Sequence, residues 1–158
     1  MKIKDFDGKQ PNFKLEKFFS GKLEGWGYTV NRFNTLQNQF RIKAKGAWNS
    51  AQNTLSLTET YTFDNGYTDI LNWKIVKQSS FAYEGREDRI GGVAKGEQAG
   101  NAFHWEYKRD VPDKDGNSST IGFDDWFWLQ EPDVMVAHAS MTKLGIEVAR
   151  LSAFYRRI

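Results

Sequence analysis

Thr54-Leu55-Ser56-Leu57-Thr58-Glu59-Thr60-Tyr61-Thr62-Phe63-Asp64-Asn65-Gly66 decides the fold. Leu55, Leu57, Glu59, Tyr61 and Phe63 alternate with Thr54, Ser56, Thr58, Thr60 and Thr62. A period of two is the period of a strand, whose successive side chains point to opposite faces. Asn65-Gly66 then predicts a two-residue hairpin of type I′, because Asn-Gly accepts positive φ at both central positions. Tyr67 to Lys77 supplies the returning strand.

The same alternation extends on both sides. Upstream, Phe40, Ile42, Ala44, Gly46 and Trp48 share one face, and Arg41, Lys43 and Lys45 the other. Leu23 to Phe33 is extended and interrupted by glycine. Downstream, Phe81–Glu84 and Gly92–Lys95 read as short strands, and Phe103, Trp105 and Tyr107 alternate with His104, Glu106 and Lys108. Ile121 to Gln130, Val134 to Met141 and Ile146 to Tyr155 complete the series. About nine or ten strands at regular spacing with short turns predict an up-and-down barrel or a sandwich. Glycines within strands (Gly25, Gly27, Gly46, Gly85, Gly96) fit the bends of barrel closure. Residues 1–20 form a lead-in, with a turn or two of helix over Pro11–Phe19 capping a barrel end and stopped by Gly21, and residues 21–158 form one barrel domain.

Composition removes several function classes. The 22 Lys+Arg against 20 Asp+Glu leave no basic stripe for nucleic acid. With no Cys there is no disulfide, thiolate metal site or Cys nucleophile. No apolar run is long enough to span a bilayer as a helix. The opening Met1-Lys2-Ile3-Lys4-Asp5-Phe6-Asp7 is too polar for a signal peptide, which predicts a cytoplasmic protein if the chain is full length. No P-loop, dinucleotide fingerprint or Gly-x-Ser-x-Gly elbow is present, so no cofactor is expected.

Phe18-Phe19-Ser20-Gly21-Lys22-Leu23-Glu24-Gly25-Trp26-Gly27, Asp64-Asn65-Gly66, Ala94 to Ala102, Phe123-Asp124-Asp125-Trp126 and Met141-Thr142-Lys143-Leu144-Gly145 carry a further signal. Jointly and in this order they resemble the domain of unknown function 3833 family of small bacterial proteins, often lipoproteins. The resemblance implies a lipocalin-like barrel and a periplasmic or outer-membrane location. It implies a lipid context through neighbouring genes for fatty-acid modification, and no catalytic residues. The chain departs from the pattern in three places. It has no lipoprotein Cys, so membrane association through a lipid anchor is absent from this chain. Ala137-His138 stands where an Asn-Arg pair is expected, and Ile70-Leu71-Asn72 where an Arg is common. Those positions therefore supply no arginine for an anionic ligand.

The candidate site residues are Trp26, Glu59, Trp73, Trp105, Asp125 and Trp126. Six Trp in a chain of 158 residues either line a cavity for an apolar molecule or fill a closed core. Asp125 shares a face with Phe123, Phe127 and Leu129, and Asp124 shares the other with Trp126 and Trp128, so the two are no acid–base pair. Asp125 is either a structural carboxylate satisfied by backbone or Trp N–H groups, or an interior group for a ligand or a buried Arg. Glu59, mid-face among apolar residues, is either paired with a cation on a neighbouring strand or a general acid with a raised pKa. His104 falls on the polar face of its strand beside Glu106, where it is read as solvated, and His138 aligns with Val134 and Val136, which allows it to face inward. Two His are a poor metal inventory, and none is expected to bind a metal. Asp113-x-Asp115-x-Asn117-x-Ser119 echoes a calcium loop, but Gly116 is misplaced and strands flank it, so it reads as a hairpin loop.

The expected fold is therefore all-β, an antiparallel lipocalin-like barrel of about 8–10 strands. The leading functional expectation is non-catalytic binding or carriage of an apolar or fatty-acyl ligand in the bacterial envelope. An isomerase or cyclase acting on a lipid-like substrate through Glu59 or Asp125 is one alternative. A structural or interaction protein with a filled barrel is the other.

Overall fold

The computed structural model describes residues 1–112 and 115–158. Ten strands form one closed barrel: β1 (Gly21–Asn31), β2 (Leu36–Asn49), β3 (Thr54–Phe63), β4 (Thr68–Lys77), β5 (Ala82–Arg86), β6 (Ala94–Ala99), β7 (Ala102–Pro112), β8 (Ser118–Glu131), β9 (Val134–Lys143) and β10 (Ile146–Arg157). Each strand pairs with its neighbours in sequence, and β1 closes against β10, all antiparallel. Closure gives every strand a neighbour on both sides, although β4 meets β5 only over Lys74–Lys77 and β7 meets β6 only over Ala102–Glu106, and ten strands make a wider interior than the eight that side chains can just fill.

Alternation sets the inside. On β2, Phe40, Ile42 and Ala44 are buried while Arg41, Lys43 and Lys45 are exposed. On β7, Phe103 and Trp105 point inward, and on β8 Leu129 does. The strand glycines act mainly through space rather than through bends. A Cβ on Gly96 would lie 2.2 Å from Trp105, and one on Gly85 2.5 Å from the same ring, so both make room for that indole.

The Asn65-Gly66 turn is a hairpin tip of a different type from the expected one. Among the non-glycine residues with positive φ Asn65 is missing, and only Gly66, at 87°, is left-handed there. The amide of Gly66 bonds the Phe63 carbonyl and that of Phe63 the Tyr67 carbonyl, which makes a three-residue loop ending in a glycine bulge. Asp64 decides this. Its amide donates to Gln39 and its carboxylate accepts from the Gln39 amide, so it stays attached to β2.

The N-terminal residues close one end. A 3₁₀ turn (Ile3–Phe6) lies outside the barrel, and the helix is a single turn, α1 (Leu15–Phe18), shorter than the predicted Pro11–Phe19. Phe13, Leu15, Phe18 and Phe19 are buried as a plug. Gly46 lets it sit close, since a Cβ there would meet the Phe19 carbonyl oxygen at 1.8 Å. Glu16 locks it, accepting from Lys77 at 2.5 Å and from the Tyr83 hydroxyl at 2.6 Å. Burial works against its charge, but those two donors hold its carboxyl below the ordinary value.

Candidate functional site

Between the plug and the opposite end lies a cavity of about 470 Å³. Leu15 and Phe19 form its floor, and Val111, Pro112, Ile121 and Tyr67 line it toward the open end. Its size falls in the range of small-molecule sites. The deep part is apolar, from Leu57, Ile75, Phe103, Trp105 and Phe127.

A belt of polar groups crosses the interior above that floor. Glu59 comes from β3, Asp125 from β8, Tyr107 and Arg109 from β7, and Tyr155 from β10. The Tyr155 hydroxyl donates to Glu59 Oε2 at 3.2 Å and lies 3.3 Å from the Tyr61 hydroxyl. Trp73 also hydrogen-bonds Glu59. Burial nonetheless dominates and pushes the Glu59 carboxyl up to about 7. Asp125 is likewise pushed up to about 7 by burial, against a hydrogen bond from Tyr107 and with added repulsion from Glu59 and Asp124. Its Oδ1 is buried and has no hydrogen-bond partner among the described residues.

Arg109 is the belt's cation. Its side chain is 11% exposed, and its Nη2 stands 3.7 Å from Asp69 Oδ2. Asp69 is held more closely by Arg89, at 2.7 Å. The guanidinium lies over the Phe123 ring at 5.3 Å. Its Nε and Nη1 are buried with no hydrogen-bond partner among the described residues.

Four of the residues singled out from the sequence, Glu59, Trp73, Trp105 and Asp125, meet in this cavity. Trp26 and Trp126 do not, which corrects the expectation that they line it. Trp26 is on the outer face, packed on Phe154 at 6.1 Å and under Arg156. Trp126 follows inward-facing Asp125 and so must point outward, where Phe6 covers it and Trp128. The N-terminal segment thus gives β8 two apolar faces. His104 is also outside but shielded rather than solvated: it stacks on Trp126 at 4.3 Å and bonds Asp124 at 2.7 Å. His138 pairs with Trp126 in register and shares its outer face, the inward set being Met135, Ala137 and Ala139. Asp113 lies outside the described residues, so the calcium-loop reading is not placed.

Sequence reasoning passed over Arg109, Tyr107 and Tyr155 as site residues. The signal for Arg109 was present, because Phe103, Trp105, Tyr107 and Arg109 continue one period of two. A cation at the end of an aromatic face is easily taken for the strand leaving the core.

A family model described as "Protein of unknown function (DUF3833)" matches residues 1–157. The chain belongs to this family. Two solved structures share the barrel of this DUF3833 chain. One is a protein of unknown function of the DUF3598 family from Nostoc punctiforme, at TM-score 0.65 and 13% identity, covering 95% of this chain and 51% of that one. The present chain therefore spans about half the length of that relative. The other is the S-type phycobiliprotein lyase CPES from Guillardia theta, at TM-score 0.63 and 10% identity, covering 92% and 94%. At these identities the likeness establishes the fold alone. No curated protein sequence matches the chain.

Proposed function

We propose that this protein binds and carries a small amphipathic molecule with an apolar, fatty-acyl-like body inside the barrel. The observation that carries the reading is the aromatic-lined cavity of about 470 Å³, open at one end and plugged at the other. Exposed Phe33, Leu36, Leu144 and Ile146 on the hairpins at the open end favour the approach of an apolar molecule. Action in the cell envelope belongs to this proposal and rests on what is common in the family. The test is native mass spectrometry of protein isolated from its own cells, with Trp73 and Trp105 fluorescence read against added dodecanoate. Co-purified lipid, or quenching at micromolar ligand, is expected. Ligand-free protein that is silent to about 10 μM ligand, a concentration that would reveal a binding energy of about 8 kcal/mol, would sink it.

One observation favours a second reading. Glu59 and Asp125 are both pushed up to about 7 in one cavity, the range in which a carboxyl serves as a general acid or base near neutral pH. A barrel isomerase or cyclase would return bound molecules as substrate–product mixtures of equal mass. A carrier returns them unchanged, and chromatography of the extracted ligand separates the two.

A further inference from the structure

We propose that the carried molecule is an organic monoanion, headed by a carboxylate, and that Arg109 is its anchor. This rests on the carrier reading and adds the chemistry of the head. The guanidinium is buried at the wall of the cavity, and its Nε and Nη1 donors have no hydrogen-bond partner among the described residues. A buried donor without a partner is costly, and one on a charged group more so. Asp69, the nearest carboxylate at 3.7 Å, is already engaged by Arg89. Arg109 is therefore the one Lys or Arg among the described residues that line the cavity, and its only ion pair there, to Asp69, is long.

Position agrees with this role. Along β7, Phe103 and Trp105 are deep, Tyr107 is next, and Arg109 stands two residues below Val111 at the open end. A head held by Arg109 places the body of the molecule on the aromatic floor and keeps the head near water. Tyr107, and Tyr155 beyond it, supply hydroxyls in the same belt.

The other charged and titratable groups around the cavity set the head's charge. Glu59 and Tyr61 face it from β3, Tyr67 from the β3–β4 turn, Asp69 from β4, Tyr107 from β7, Asp125 from β8 and Tyr155 from β10, and His138 of β9 borders it. With Glu59 and Asp125 protonated and Asp69 held by Arg89, the one guanidinium lining the cavity matches a single negative charge, and a phosphate dianion would exceed it. Burial keeps Glu59 and Asp125 largely available as neutral groups below about pH 7, so they do not displace the head from Arg109. Protonated Asp125 can also donate to it.

The test compares an acid with the alcohol of the same body, on the whole protein. Dodecanoate against dodecanol probes a flexible body, and pyrenebutyrate against pyrenebutanol a rigid one. Binding is read from quenching of Trp73 and Trp105, below pH 7. The acid should bind at least about tenfold more tightly than its alcohol. Arg109→Met should erase that preference, and Arg109→Lys should restore part of it. Thermal midpoints confirm folding, and Arg109→Gln serves if the Met variant does not fold. Equal binding of acid and alcohol by the unaltered protein, or a preference that survives loss of the cation, overturns the anion assignment and leaves the carrier reading standing. Binding of neither member of either pair overturns both.

Discussion

Glu59 and Asp125 show how a single buried carboxyl carries a pH dependence. Each is 8% exposed, and neither forms an ion pair among the described residues. Their ordinary values are 4.5 and 3.8, and burial raises both to about 7. A raised carboxyl pKa means that the folded chain keeps a proton the unfolded chain has released. Stability is therefore fullest below about pH 4 for this contribution and declines as pH rises toward about 7, at up to about 1.4 kcal/mol per unit for each group. Glu16 has the opposite sign, its depressed value adding stability above the ordinary carboxylate range that is lost in acid. Comparing the unaltered protein with Asp125→Asn cancels the Glu16 part. Denaturation at about pH 5 and about pH 7 should show a smaller decline in the variant, by about 1–3 kcal/mol. Parallel declines in the two proteins would show that Asp125 is ionised throughout. The sequence placed both acids on apolar faces and so singled them out. It could not show that one oxygen of Asp125 is buried without a hydrogen-bond partner among the described residues, because that depends on side chains from other strands.

At the level of elements, the strands were legible because period two is a local property and closure enforces it. Ten strands fall where alternation and turn residues put them, and the glycines sit within them as read. Their physical reason was not legible. Gly85 and Gly96 are small because Trp105, from a different strand, fills the space a side chain would take. The turn type was hidden in the same way, since Asp64 answers to Gln39 on β2 rather than to its own hairpin. Trp126 was misassigned because β8 has two aromatic faces, and only the docked N-terminal segment explains the outer one. The Trp105 packing predicts a sharp contrast. Gly96→Ala should cost about 1–3 kcal/mol, because the added methyl meets ring atoms at 2.2 and 2.4 Å from both Trp105 and Phe103. Gly91→Ala, with nothing within 4 Å, should stay within about 0.5 kcal/mol. Equal urea midpoints for the two variants would mean that Trp105 is not wedged against β6.

The cavity is a property of the whole barrel, and it comes from unequal walls. Strands β3, β4, β7 and β8 direct Tyr61, Trp73, Trp105, Tyr107 and Phe123 inward, while β9 and β10 direct the small Ala137, Ala139 and Ala149 there beside Met141, Leu151 and Tyr155. Tyr155 crosses to Glu59 and Tyr61, and the alanine positions leave space beside it. No local pattern in the sequence states this, because each strand alternates correctly whether its inward residues are large or small. Filling the gap from the small side therefore tests whether the space is functional. Ala139 pairs with Asp125 in register and lines the cavity, so Ala139→Leu adds three carbons beside the polar belt. If the space is free, the larger side chain buries apolar surface without displacing anything. Each buried methylene is worth about 0.8 kcal/mol before rotamer ordering is subtracted, so a net gain of about 1–2 kcal/mol is expected. The same change should weaken capture of dodecanoate at least about tenfold, a trade of binding for stability common at sites kept open. Thermal midpoint and fluorescence titration of one sample read both effects. A destabilised variant would show that the wall has no room, and a stabilised variant that still binds at full strength would show that the ligand lies outside the barrel.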